Sequence, residues 1–110
     1  MSLIKEMEVS ELAKLKEKGN AVRVIDIRQP AELNGGVIPG AEALPMHTIP
    51  LRIDELNRDE TLIMVCRSGA RSAQACMFLQ QQGYDNVYNL RGGMMAWSGS
   101  GLEIGLPQAV

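Results

Sequence analysis

Residues 61–83 of this 110-residue chain read TLIMVCRSGARSAQACMFLQQQG. The first five residues are a short, continuously apolar run, which is typical of a strand buried on both faces of a parallel sheet. Apolar residues spaced as in a helix follow from Ser72 and stop at Gly83, so a helix buried over much of its circumference is expected. The stretch therefore predicts a strand, a loop and a helix of an α/β fold.

Shorter patterns extend this organisation towards both ends of the chain. Residues 21–27, 42–45 and 86–90 have the composition of strands, and residues 9–19 predict a first helix with Ser10 as N-cap and Gly19 as C-terminal stop. Strands that alternate with helices favour a parallel sheet with right-handed crossovers. The Gly-rich segment from residue 98 onward is predicted to be an irregular surface segment.

Composition excludes several classes of function. The 11 basic and 13 acidic residues leave no basic surplus for nucleic acid, and no apolar run is long enough to span a membrane. Acidic residues stand where a signal peptide would be apolar, so a cytoplasmic location is expected, although the initial MSL could replace a removed leader. Two cysteines and one histidine show no metal-ligand spacing, so no metal is expected. The oligomeric state is left open.

Cys66 lies where the predicted strand ends, and open α/β sheets bind ligands at that edge. Arg67 and Arg71 are the only formal charges between residues 61 and 75. Their charges and the free N–H groups of a helix start are expected to lower the pKa of Cys66 from about 8.5 towards neutrality. The alternative is a small core cysteine, which does not explain the arginines. A thiolate nucleophile in an anion-binding loop is therefore predicted.

Three segments occur in the order found in one known family: VIDIRQPAELNGGVIPGA (24–41), CRSGAR (66–71) and GYDNVYNLRGGMMAW (83–97). The chain resembles the single-domain rhodanese sulfurtransferases over residues 5–104, which leaves 105–110 as a C-terminal tail. The resemblance implies a three-layer α/β sandwich with a mainly parallel central sheet of about five strands and helices on both faces.

The resemblance also implies roles for individual residues. Cys66 would carry a persulfide inside a cradle of backbone N–H groups from residues 67–71. Arg71 would brace the loop and Arg67 would meet the anionic donor. Arg28 matches a family D-x-R pattern and is expected either to contact substrate or to form a structural pair with Asp26. The substrate-binding set is thus Arg67, Ser68, Gly69, Ala70, Arg71 and Arg28.

The implied activity is that of a thiosulfate sulfurtransferase, which moves sulfur from a small anionic donor to cyanide or a thiol without a cofactor. A phosphatase or an arsenate reductase-like enzyme is the first alternative, but four residues separate Cys66 from Arg71, whereas the related phosphatases have five. A sulfur-carrier or regulatory binding module is the second alternative. Regulatory modules of this fold commonly lack the cysteine that this chain keeps.

Four further features receive structural interpretations. Val37 stands where many family members have a histidine, which places only contacts of the entrance loop in doubt. His47 is expected in a surface loop, and Cys76 as a buried structural thiol in preference to a resolving cysteine. Residues 92–97, GGMMAW, predict a tight turn into a short helix that packs its tryptophan on the core.

Overall fold

A computed structural model describes residues 4–107 of the chain. Its centre is a five-stranded sheet with the strand order β1-β5-β4-β2-β3, and all neighbouring strands run parallel. The strands are β1 (Lys5–Met7), β2 (Arg23–Asp26), β3 (Glu42–Ala43), β4 (Leu62–Val65) and β5 (Val87–Leu90). The predicted α/β class, with a parallel sheet of about five strands, is confirmed.

Helices cover both faces of this sheet. The helices are α1 (Val9–Glu17), α2 (Ile49–Arg52), α3 (Ala70–Gln81) and α4 (Gly93–Gly99), and 3-10 turns span Pro30–Gly35, Met46–Thr48 and Ile53–Glu55. Successive residues of a strand point to opposite faces, so Met64 joins a core with Leu79 of α3, while Ile63 joins a second core with Trp97 of α4. The result is a three-layer arrangement.

The first helix begins earlier than its sequence pattern predicts. Glu8, with an extended backbone, is the N-cap, and its N–H donates to Glu11 Oε1 at 3.3 Å. Ser10 lies inside the first turn, so the prediction of Ser10 as N-cap is wrong. The C-terminal stop is confirmed, because Gly19 has a φ of +73° and the next residue, Asn20, donates its N–H to Leu15 O.

Two other elements differ from the sequence pattern for physical reasons. Strand β1 was not predicted, because it is a three-residue edge strand in which only Met7 is buried and therefore carries no apolar run. Helix α3 begins at Ala70, two residues before the predicted start. The exposed residues of this helix, at positions 70, 74, 77 and 81, form one stripe and the other eight are buried or partly buried, so the predicted burial over much of the circumference is confirmed except at Met77, which is 46% exposed. The helix buries one face against the sheet.

The segment after α4 is irregular, as predicted, but it is held against the domain. Gly105 and Val37 exchange two backbone hydrogen bonds of 2.9 and 2.7 Å, and Trp97 Nε1 donates to Glu103 O at 2.7 Å. The predicted domain boundary at residue 104 thus falls inside a docked segment, and residues 108–110 of the predicted tail lie outside the described range. Among residues 4–107, no helix is long and apolar enough to cross a membrane.

Candidate active site

Cys66 directly follows β4, a central strand, at the carboxyl end of the sheet. The chain turns from there into α3 through Gly69, whose φ of +100° is favourable only for glycine. This turn directs three donors at the buried Cys66 Sγ. They are Gly69 N–H at 3.0 Å, Ser72 N–H at 3.4 Å and the Ser72 hydroxyl oxygen at 3.3 Å.

These donors determine the acidity of the thiol. Burial by itself raises the pKa of Cys66, but the Ser72 hydroxyl and the backbone N–H groups of Ser72, Gly69 and Ser68 outweigh it, so the pKa lies below its ordinary value. The predicted direction is confirmed. Of the expected causes, the N–H groups of the loop and helix start are confirmed, whereas the arginine charges are not among the leading causes and the Ser72 hydroxyl was not expected. Ser72, one residue beyond the predicted cradle, was not singled out from the sequence.

Arg71 is engaged in an ion pair away from the sulfur. Its guanidinium makes a two-pronged contact with Glu32, with Nη1 at 2.8 Å from Oε1 and Nη2 at 2.9 Å from Oε2. The hydrogen bond from Arg71, followed by one from Gln29 N–H, lowers the pKa of Glu32 to about 2. The pair links the start of α3 to the 3-10 turn Pro30–Gly35. Glu32 was missed, because Gln29 is not one of the residues that mark a capping box in a sequence, although Gln29 and Glu32 form one in the structure.

Arg28 is buried beside the site and is heavily hydrogen-bonded. Its Nε and Nη2 reach Asp26 at 3.0 and 2.8 Å, Nη2 also donates to Gly36 O at 2.9 Å, and Nη1 donates to Glu32 O at 3.3 Å. Asp26 also accepts the Arg28 backbone N–H, so the pair organises the segment that follows β2. A direct contact between Arg28 and substrate stays a prediction.

A cleft of about 410 Å³ opens beside the loop and is lined by Arg28, Glu32, Arg67, Met94, Met95 and Ser98. The Arg67 side chain is exposed at this cleft, as an anion-binding residue must be. Ser68 and Ala70 are exposed as well, on either side of the buried Gly69. Of the predicted loop residues, Gly69 and Ser68 thus direct their N–H groups at Cys66, Arg67 lines the cleft, and Arg71 pairs with Glu32.

The start of α4 supports the cysteine loop from the other side. Met94 N–H donates to Cys66 O at 2.9 Å, and Met95 N–H donates to Arg67 O at 3.0 Å. Gly93 allows this approach, since a Cβ there would lie 2.3 Å from Cys66 O and 2.7 Å from Arg67 O. The predicted tight turn and the burial of Trp97 are confirmed. The role of the turn in holding the loop was missed.

The remaining candidates have the predicted structural settings. Cys76 is a free, fully buried thiol, and burial raises its pKa to about 12, which suits a structural residue. His47 is exposed in the 3-10 turn Met46–Thr48. Val37 is 4% exposed and is joined through its backbone to Gly105. An apolar side chain fits that interior position without a polar partner.

The fold and the site define a class of α/β protein that holds a buried cysteine in a loop of hydrogen-bond donors at the sheet edge. The Rhodanese-like domain profile matches residues 8–100, and the chain belongs to this family. A sulfurtransferase from Allochromatium vinosum is 46% identical over 106 residues, which cover 96% of this chain and 99% of that protein. The thiosulfate sulfurtransferase GlpE of Shewanella oneidensis is 36% identical over 88% of this chain and 95% of its own.

A solved structure shows the same fold. The rhodanese-like domain protein from Staphylococcus aureus superimposes with a TM-score of 0.85 at 33% sequence identity, covering 96% of this chain and all of that one. These similarities support assignment to a sulfurtransferase family.

Proposed function

We propose that this protein is a thiosulfate sulfurtransferase in which Cys66 carries the transferred sulfur as a persulfide. The observation that supports the proposal most strongly is the set of donors around Cys66 Sγ, from Gly69 and Ser72. They lower the pKa of the thiol despite its burial and so favour the thiolate, which is the nucleophilic form.

In the first half of the reaction, the Cys66 thiolate attacks the outer sulfur of thiosulfate. A new S–S bond forms, the S–S bond of thiosulfate breaks, and sulfite leaves with the bonding electron pair. Arg67, exposed at the cleft, offsets the negative charge of the donor and of the departing sulfite. The loop N–H groups stabilise the negative charge of the persulfide.

In the second half, cyanide or a thiolate attacks the outer sulfur of the persulfide. The bond between the two sulfurs breaks, its electron pair returns to Cys66 Sγ, and thiocyanate or a new persulfide leaves. The donors that stabilise the resting thiolate also stabilise Cys66 as the leaving group, because the same charge develops on the same atom. The cycle therefore ends where it began, without a cofactor.

The length of the loop favours sulfur over a phosphoryl group. Cys66 to Arg71 is a six-residue loop, and its Gly69 N–H is directed at a single sulfur atom at 3.0 Å. Arg71 is already paired with Glu32 in a two-pronged contact that occupies its guanidinium edge. A tetrahedral oxyanion would need a wider ring of donors and an arginine that faces it.

Mass spectrometry after incubation with thiosulfate tests this proposal. The wild-type protein should gain one sulfur atom on Cys66, and a reducing thiol should remove it. Cys66→Ser should gain none, whereas Cys76→Ser, which changes the buried thiol, should gain one like the wild type. A wild-type protein that takes up no sulfur but hydrolyses aryl phosphates would replace this proposal with the phosphatase alternative. A protein that does neither would indicate a binding module.

A further inference from the structure

A short chain of buried side chains connects Cys66 to strand β5. Ser72 Oγ lies 3.3 Å from Cys66 Sγ and makes a short hydrogen bond with Asn89 Oδ1. Asn89 Nδ2 donates to Gly69 O at 3.1 Å and to Glu6 Oε2 at 3.2 Å. Ser72 is 0% exposed and Asn89 is 2% exposed, so each polar atom here depends on its protein partners.

The orientation of the Asn89 amide follows from these partners. The carbonyl of Gly69 can only accept a hydrogen bond, so the nitrogen of the amide must face it. The amide oxygen therefore faces Ser72, and since this oxygen cannot donate, the hydrogen between the two residues comes from the Ser72 hydroxyl.

The Ser72 hydroxyl has only one hydrogen, and two acceptors compete for it. While Cys66 Sγ is a neutral thiol, the hydrogen can stay on Asn89 Oδ1, and the hydroxyl oxygen can accept the S–H. When the thiol proton leaves to water, Sγ becomes an acceptor only. Hydrogen bonds to charged groups are stronger than those to neutral ones, so the hydroxyl hydrogen gains more by turning to the sulfur.

We propose that Asn89 is a positioning residue for Cys66 and that it acts through the hydroxyl hydrogen of Ser72. Asn89 holds this hydrogen while Sγ is neutral, either as a thiol or as the inner sulfur of a persulfide, and releases it when the thiolate forms. It thereby favours the neutral forms and limits how readily the anion forms on Sγ before the first half-reaction and at the end of the second. The inference rests on the proposed function in taking Cys66 as the sulfur-carrying nucleophile.

Two substitutions of Asn89 should shift the ionisation of Cys66 in opposite directions. Asn89→Ala removes the competing acceptor, so the hydroxyl hydrogen is free for the thiolate and the pKa of Cys66 falls. Gly69 keeps its place in this variant, because its carbonyl also accepts the Ala73 N–H at 3.1 Å. Asn89→Asp offers a stronger acceptor and adds negative charge, so the pKa of Cys66 rises. A purely structural role would move both variants in the same direction.

Other charged or titratable groups surround Cys66, and none of them is substituted in these variants; Glu6 alone loses a hydrogen bond, the one from Asn89 Nδ2, and it loses it in both variants. Arg71 and Cys76 of α3 both interact electrostatically with Cys66. The further groups, from the adjoining strands and loops, are Glu6, Asp26, Arg28, Glu32 and Arg67. Differences between the Asn89 variants therefore report the change at Asn89.

The experiment follows alkylation of Cys66 by iodoacetamide against pH, with the Cys66 peptide quantified by mass spectrometry. Each Asn89 variant is made with Ser72 intact and in a Ser72→Ala background. We expect midpoint shifts of about 0.5–1 pH unit, which correspond to roughly three- to tenfold changes in thiolate-limited rate well below the midpoint. In the Ser72→Ala background, the downward shift of Asn89→Ala should vanish and the upward shift of Asn89→Asp should shrink.

Asn86→Asp is the matched control. Asn86 precedes β5 at the opposite end of the strand, where its amide donates to Thr61 Oγ1, and the same chemical change there should leave the midpoint of Cys66 in place. Shifts in the same direction for both Asn89 variants, shifts of equal size in the two backgrounds, or no shift would overturn the inference. If Asn89→Asp does not fold, the shift of Asn89→Ala and its dependence on Ser72 decide the question.

Failure of this inference is distinguishable from failure of the proposed function. Alkylation needs only the Cys66 thiolate, whereas sulfur uptake from thiosulfate tests the transfer reaction. Normal sulfur uptake with no Asn89-dependent shift would overturn the inference alone. The expected shifts without sulfur uptake would overturn the proposed function alone.

Discussion

Replacement of Gly93 by alanine should damage both stability and activity, because Gly93 lies where α4 meets the cysteine loop. Its φ of +54° is left-handed, a conformation that costs a residue with a Cβ about 1–2 kcal/mol. The new Cβ would also lie 2.3 Å from Cys66 O and 2.7 Å from Arg67 O, both of them backbone atoms. Forcing a methyl group into such a packed site costs about 1–3 kcal/mol more.

Together these effects destabilise Gly93→Ala by roughly 2–5 kcal/mol. In a domain of this size, each 1 kcal/mol lowers the melting temperature by about 4–8 °C, so a loss on the order of 10 °C or more is expected. Relief of the clash must move the Cys66 and Arg67 carbonyls, and with them the loop. A displacement of about 1 Å at a reacting group can cost on the order of a hundredfold in rate.

Gly101→Ala separates the two contributions. Gly101 also has a left-handed φ, of +72°, but nothing lies within 4 Å of a Cβ built there. Thermal denaturation and thiosulfate:cyanide sulfur transfer are measured for both variants. Gly101→Ala should lose only about 1–2 kcal/mol of stability and keep its activity. Equal losses in the two variants, or full sulfur transfer by folded Gly93→Ala, would refute the reasoning.

Three further predictions concern the loop and its supports. Glu32→Gln should reduce sulfur transfer by loosening Arg71, while its cost in stability stays below about 1 kcal/mol because the pair is partly exposed. The pKa of Glu32 is about 2 in the folded protein and 4.5 ordinarily, so its contribution to the free energy of unfolding is present above pH 4.5 and is lost as the pH falls towards 2. Urea unfolding of the wild type and Glu32→Gln should therefore show a smaller difference in stability at pH 3 than at pH 7. A difference that is the same at both pH values would contradict this prediction. In the native protein, alkylation of Cys66 should follow a pH midpoint below that of an ordinary thiol, whereas Cys76 should be alkylated only after unfolding. Alkylation of both cysteines at equal rates would contradict the difference between their environments. Insertion of one small residue between positions 68 and 69 should lower sulfur transfer, and retention of full transfer would show that the six-residue loop length is unimportant.

The sequence patterns predict the parts of the fold whose side chains are uniformly buried. Strand β4 has four buried residues in a row, so its apolar run identifies it, and the loop and helix after it place Cys66 correctly. Strand β1 has one buried residue among three and leaves no such pattern. Its pairing with β5 becomes visible only in the assembled sheet.

The candidate site, like the fold, has a part that the sequence predicts and a part that it does not. Residues adjacent to Cys66 in sequence were predicted, because a loop at a strand end keeps its neighbours together. Glu32 and Asn89 were missed, since they come from 34 residues before and 23 residues after Cys66 and reach the loop only through the fold. Two arginines in the loop suggested that positive charge lowers the pKa of Cys66. The backbone N–H groups, which the sequence also predicted, do lower it, and the largest lowering effect comes from the Ser72 hydroxyl, whose direction a sequence does not contain.

The central claim is that Cys66 takes sulfur from the donor before any acceptor is present. Rapid mixing of the protein with thiosulfate alone, with sulfite as the measured product, tests this most directly. The persulfide account predicts a burst of one sulfite for each active Cys66, followed by continued release only after cyanide is added, and no burst from Cys66→Ser. Sulfite that appears only when cyanide is present, with no burst from the wild-type protein, would contradict the account.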